Sequence, residues 1–243
     1  MRIKNVLIIL FGFAILAIAP GCKKSSTATT PYKCATCNAT PQALAANNII
    51  SKGIYKGVVI GSTGTIIFDV LNNGTTITAV MVIDGVSVNL VSNVTWTAGQ
   101  PYNAPFTGTF NGSPISITFS VGVTGNVPTV TASNIPGHPN MSFTVAKELS
   151  TSMIECFEGV YHTTRPEDGT FNIILSRTAG QYGAAGRANG GTSTSPSSGT
   201  VLSDNTLKDS NGTIIGTLAG DGITGTFSDG GGNTVTITGH RTL

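Results

Sequence analysis

The chain has 243 residues, with 31 glycines, 40% hydrophobic and only 10% charged residues. That much apolar residue, set in periodic runs, excludes a disordered chain, and the length fits one or two domains. Removing residues 1–21 would take Arg2 and Lys4 from the 13 basic residues, leaving 11 against 11 acidic ones. A balance near zero without a basic stripe argues against a nucleic-acid partner.

Met1 to Gly21 reads as an export signal. Arg2 and Lys4 make its positive start, and Val6 to Ala19 is an apolar run of about 14 residues, short of the ~20 that span a bilayer as a helix. The segment ends Ala19-Pro20-Gly21-Cys22. In this the chain resembles bacterial lipoproteins, of the Bacteroidetes type, whose lipobox places a small residue before the cysteine that is lipidated. The resemblance implies that Cys22 becomes the acylated first residue of a protein held at the outer membrane. Several acyl chains on one residue suffice for stable anchoring. Lys23-Lys24 stands where some such lipoproteins carry an acidic surface-export signal, so the face of the membrane stays open.

Residues 22–48 form a lipidated and tethering segment. Lys23 to Lys33 has no apolar period and reads as a flexible tether. Cys34-Ala35-Thr36-Cys37 follows. A thioredoxin-like redox pair would need a helix start within a βαβ unit, and a zinc site would need two further ligands nearby. The expectation is a local disulfide in an oxidising compartment, with pairing of either cysteine to Cys156 left open. Cys156 itself reads as a buried free thiol. Thr40 and Pro41 are expected to start one or two helical turns as N-cap and first helical residue.

From residue 49 onward the pattern is β. Residues 49–149 and 150–243 read as two β-meander units. Tyr55-Lys56-Gly57-Val58 opens the first and Phe157-Glu158-Gly159-Val160 the second. Each continues with a Gly-Thr strand, at Gly64-Thr65 and Gly169-Thr170, and each contains a T-G-T-F hairpin, at Thr107–Phe110 and Thr224–Phe227. The shared order predicts an internal duplication. Asn73-Gly74, Asp84-Gly85 and Asn111-Gly112 are tight-turn dipeptides between strands. Thr129 to Ser133 and Met141 to Val145 read as short strands around Pro136-Gly137-His138-Pro139, which leaves His138 exposed. Gly183 to Gly199 has almost no apolar content and is expected to be a mobile loop. His240-Arg241 reads as a surface pair.

Strands with one apolar and one Thr/Ser face must pack against something. The fold class is therefore all-β: a duplicated antiparallel β-meander, forming either two barrel-like halves or one joint barrel or sandwich. The openings and the Gly-Thr strands are similar to lipocalin-like and avidin-like meanders, in which an antiparallel barrel holds a small ligand. Those families' biotin-type sites use several tryptophans, and Trp96 stands alone here, so no binding residue is carried over.

Candidate ligand contacts come from residue type. Trp96 and Tyr102 could stack on a sugar or line a pocket, or else plug a barrel end. His162, Arg165 and Asp168, with Glu167, form the densest charge cluster in a charge-poor chain. No nucleophile elbow, H-E-x-x-H or phosphate loop occurs, so no enzyme activity, cofactor or metal is expected. The reading is a membrane-anchored envelope lipoprotein whose body binds a small apolar ligand or a glycan; the rival reading is a structural protein that contacts other envelope proteins.

Overall fold

A computed structural model describes residues 31–132 and 135–243. The export signal, Cys22 and the tether up to Thr30 lie outside the described residues, as does Ser133 at the expected end of one strand. The first meander comprises β1 (Gly53–Ile60), β2 (Gly64–Val70), β3 (Ile77–Ile83), β4 (Val86–Ser92), β5 (Tyr102–Phe110), β6 (Ser113–Val121), β7 (Thr129–Ala132) and β8 (Ser142–Lys147). The second comprises β9 (Glu155–Thr163), β10 (Asp168–Ser176), β11 (Gln181–Ala188), β12 (Ser195–Val201), β13 (Thr206–Asp209), β14 (Ile214–Ala219), β15 (Gly222–Ser228) and β16 (Thr234–Arg241).

The expected fold class is what the structure has, and its open alternative resolves to two barrel-like halves. In the first, β1 pairs with both β2 and β8, and β7 and β8 stand at the two ends of the sheet order. In the second, β9 pairs with both β10 and β16, and the barrel closes. All pairings are antiparallel between neighbours in sequence, apart from those that bring β8 and β16 back to the first strand of each meander.

The first barrel is filled because its inward row is large. Register sets Tyr55, Phe68, Ala79 and Leu90 side by side, and Ala104 beside Phe119. The Phe68 and Phe119 rings stack at 4.4 Å, while Phe106 and Tyr55 meet Phe68 and Phe119 edge-on at 5.0 Å each. Such pairs add to the burial of their area.

The repeated motifs have a steric reason. A Cβ on Gly57 would stand 2.5 Å from the Thr144 carbonyl oxygen, and one on Gly159 2.3 Å from that of Thr238. Glycine in each opening thus lets the last strand of its sheet close against the first. In T-G-T-F the glycines Gly108 and Gly225 admit the Asn89 and Ile215 carbonyls in the same way. The two T-G-T-F hairpins are not at equivalent places, however: they form the fifth and sixth strands of one meander and the seventh and eighth of the other. The motif is a local packing device, so it does not by itself align the two units residue by residue.

The segment expected to be a mobile loop is instead mostly β11 and β12. A strand needs its ladder bonds more than its side chains, and β11 pairs with β10 on one side and β12 on the other. Its glycines, alanines and serines cost apolar burial rather than hydrogen bonds.

β1 is buried at all eight positions, as a nearly continuous apolar strand covered on both faces should be. One face looks into the first barrel. From the other, Val58 and Ile60 pack with Ile154, Cys156, Ile174 and Ala185, which joins the two barrels. Lys56 lies on that same face. Its Nζ donates to Glu148 Oε2 at 2.6 Å, with side chains 1% and 0% exposed. Glu148 also accepts the backbone N–H of Gln42 and of Ile154.

That bond to Gln42 replaces the helix expected at Thr40. The only helical turn among the described residues is a 3-10 turn at Ala45–Asn47, preceded by Leu44. Leu44 N–H and the Asn47 amide donate to Asn72, so this segment is fixed by side chains of the first barrel rather than by its own cap. Nearer the start of the chain, Cys34 and Cys37 form a disulfide and Cys156 stays a free, buried thiol. Cys34 N–H donates to Asp221 Oδ2 at 2.8 Å. Arg241 bridges Glu155 and Asp221 and donates to the Asn38 carbonyl, so it is buried, not on the surface as its terminal position suggests. His138 is likewise half-buried, its Nε2 3.1 Å from Asp84 Oδ2.

Burial pushes the Cys156 thiol up to about 12, with opposed and smaller effects from Lys56, Arg241, Glu148 and Glu155. The unfolded chain loses this proton near 9, so the folded state binds more protons between about 9 and 12 and loses stability as pH rises there. Lys147, pushed down to about 8 by burial, acts with the opposite slope. Replacing Cys156 by alanine removes only the thiol. Urea unfolding should show the wild type losing about 2 kcal/mol more than C156A between pH 8 and 10.5. Parallel curves would contradict this.

Candidate functional site

The second barrel is hollow. A cavity of about 630 Å³ opens at the end carrying the β9–β10, β13–β14 and β15–β16 turns. The cause lies in alternate residues of β11 and β12. Register sets Ala184 opposite Ile173 and Gly186 opposite Phe171, and then Ser197 opposite Ala184 and Ser195 opposite Gly186. In the first barrel the corresponding third and fourth strands bury Met81, Ile83, Val88 and Leu90. Below the cavity the second barrel is packed by Phe157, Leu175, Val201, Leu207, Leu218 and Ile223. Its volume falls within the range of ~300–1,000 Å³ usual for small-molecule sites.

The walls combine Phe171, Ile173, Ile215, Phe227, Val235 and Ile237 with hydroxyl and carboxylate groups toward the mouth. Tyr161 donates to Glu167 Oε1 at 3.1 Å. Burial, then this bond and the nearby carboxylates, raises its phenol pKa. Asp209 Oδ1 accepts the N–H of Asn211 and of Thr213, which fixes the β13–β14 turn. Asp229 accepts from the Asn233 side chain and from two turn N–H groups, and these bonds hold it below its ordinary value, the Asn233 side chain first. Carboxylates thus stand around the opening in rigid turns.

The sequence candidates divide between the two barrels. Trp96 packs against the first core and its Nε1 donates to Ser51 Oγ at 2.7 Å. Tyr102 is buried in that core, with its hydroxyl donating to Ser92 or the Val94 carbonyl. Neither reaches the cavity. His162, Arg165 and Asp168 are at its mouth, where His162 Nδ1 lies 2.8 Å from Asp168 Oδ1, but both side chains are more than half exposed and point away from the lumen. From the same stretch Tyr161, Thr163 and Glu167 line it. Phe171, Ser195, Ser197, Asp209 and Phe227 escaped the sequence reading. The available signal was a small residue at every second position of the glycine-rich stretch.

Among the described residues no group of three His, Cys, Asp or Glu is placed to hold a metal, and no helix is long and apolar enough to cross a membrane. Fold and cavity together define an all-β protein of two eight-stranded barrel-like halves, the first nearly closed and filled, the second closed and hollow. No family model, no curated protein and no solved structure matches the chain.

Proposed function

We propose that the chain is a lipid-anchored envelope lipoprotein whose second barrel binds a small, largely apolar ligand or a glycan without catalysing a reaction. The observation that carries this is the contrast between the barrels. Both have eight strands in meander order, yet one interior is packed by stacked aromatics and the other, the closed barrel, holds an open cavity of about 630 Å³. Its aromatic and aliphatic wall suits an apolar body or the carbon face of a sugar. Titration of the full chain with N-phenyl-1-naphthylamine, a neutral apolar fluorophore, should saturate at one site. No saturable binding would remove the ligand reading.

The anchor rests on Arg2, Lys4, the apolar run and Gly21-Cys22. Exchanging Cys22 for serine should move the protein from the membrane to the soluble fraction of its host. A variant that stays membrane-bound to the wild-type extent would end this part of the reading.

A further inference from the structure

The cavity has two unlike walls. The side formed by β9, β10, β15 and β16 presents Phe171, Ile173, Phe227, Val235 and Ile237. The side formed by β12 and β13 presents Ser195, Ser197 and Asp209, while Glu167 and Asp229 stand at the rim in the β9–β10 and β15–β16 turns. No lysine, arginine or histidine lines it among the described residues. An anionic ligand would meet three lining carboxylates, and the cation that acts on one of them, Arg165 outside the lumen, faces Asp229 at the mouth.

A second observation comes from below the polar wall. Tyr182 is only 4% exposed and stands in the inward row, opposite Leu175 and Gly199. Among the described residues its hydroxyl makes no well-formed hydrogen bond, with Ser197 as its nearby polar neighbour. Burial raises its pKa first; Ser197, near it but outside good hydrogen-bond geometry, opposes the shift, and Asp209 adds to it. A buried hydroxyl without a partner is costly and calls for a cause. Tyr182 does not line the cavity, but its neighbours Ser197 and Asp209 do, so a polar group bound between those two adds to the polar setting of its hydroxyl.

We infer that the ligand is amphipathic and not anionic: its apolar part lies against β9–β10 and β15–β16, and its hydroxyl or ammonium groups lie against β12–β13, with Tyr182 at the foot of that wall. This rests on the reading of the second barrel as a binding site. The carboxylates accept hydrogen bonds only, so they select donors and positive charge. The inference thus narrows the ligand to hydroxylated or amine-bearing amphiphiles.

The test uses the full chain loaded with N-phenyl-1-naphthylamine and displaces it with dodecylamine, dodecanol or dodecanoate, which share a chain and differ in head. The amine should displace at a concentration about ten-fold or more below that of dodecanoate, with the alcohol between. Asp209→Asn should reduce the amine-to-carboxylate ratio at least about three-fold, and Glu167→Gln serves the same purpose if the first variant fails to fold. Equal displacement by all three, preference for dodecanoate, or an unchanged ratio in the variants overturns the inference while leaving a binding barrel in place. Failure of the fluorophore to bind overturns the binding reading and the inference together.

Discussion

Replacing Glu148 by alanine is expected to cost about 3–5 kcal/mol of stability, because it leaves a buried ammonium without its partner. Among the described residues Lys56 has no other ion pair, and its side chain is 1% exposed on the face of β1 that meets the second barrel. The same change takes the acceptor from the Gln42 and Ile154 N–H groups, one in the segment before the first barrel and one in the link between barrels. Urea unfolding measures the loss. The double variant K56M/E148Q removes the charge and keeps one acceptor oxygen, enough for only one of the two N–H groups that Glu148 takes on separate oxygens, so it should recover about 1 kcal/mol of the loss. A loss below about 1 kcal/mol for E148A would mean that water reaches the pair.

The second large effect is expected on binding. Ala184 sits on the inward row of β11, between Ile173 and Ser197, where the lumen is open. Phenylalanine there points into the cavity and takes the space of a ligand. Binding of N-phenyl-1-naphthylamine should weaken about 100-fold or more, since a filled site offers no concave apolar surface. Stability should hold or rise by about 1 kcal/mol, as cavity-filling changes do. Unaltered affinity with an intact fold would place the fluorophore elsewhere on the protein.

The strand architecture was legible because apolar residues alternate with Thr and Ser over most of the chain, and because Asn-Gly and Asp-Gly mark the turns. The choice between two barrels and one was not. Either arrangement buries Tyr55, Phe68 and Phe119; what decides it is that β8 returns to β1 and β16 to β9, long-range pairings within each half. Val58 and Ile60 meet Ile174 and Cys156 where the halves pack. The glycine-rich stretch misled through its average composition, whereas the inward positions alone, Ala184, Gly186, Ser195 and Ser197, describe a hollow strand pair.

Residues judged by local setting fared worst. Arg241 near the C-terminus and His138 between glycine and proline looked exposed, but Asp221 with Glu155, and Asp84, reach them from far along the chain. Trp96 and Tyr102 have the right chemistry for a ligand and spend it on Ser51 and Ser92. The charge cluster in residues 161–170 lies at the open end of the second barrel. Strand alternation turned Tyr161 and Glu167 toward the lumen and His162 and Asp168 away from it.

The most direct measurement is native mass spectrometry of the full chain purified gently from its own cells, wild type beside Ala184→Phe. A defined extra mass on the wild type, lost from the variant, is the expected result and would name the ligand class. Bare wild-type protein, or an extra mass that the variant keeps, would contradict a ligand in the second barrel.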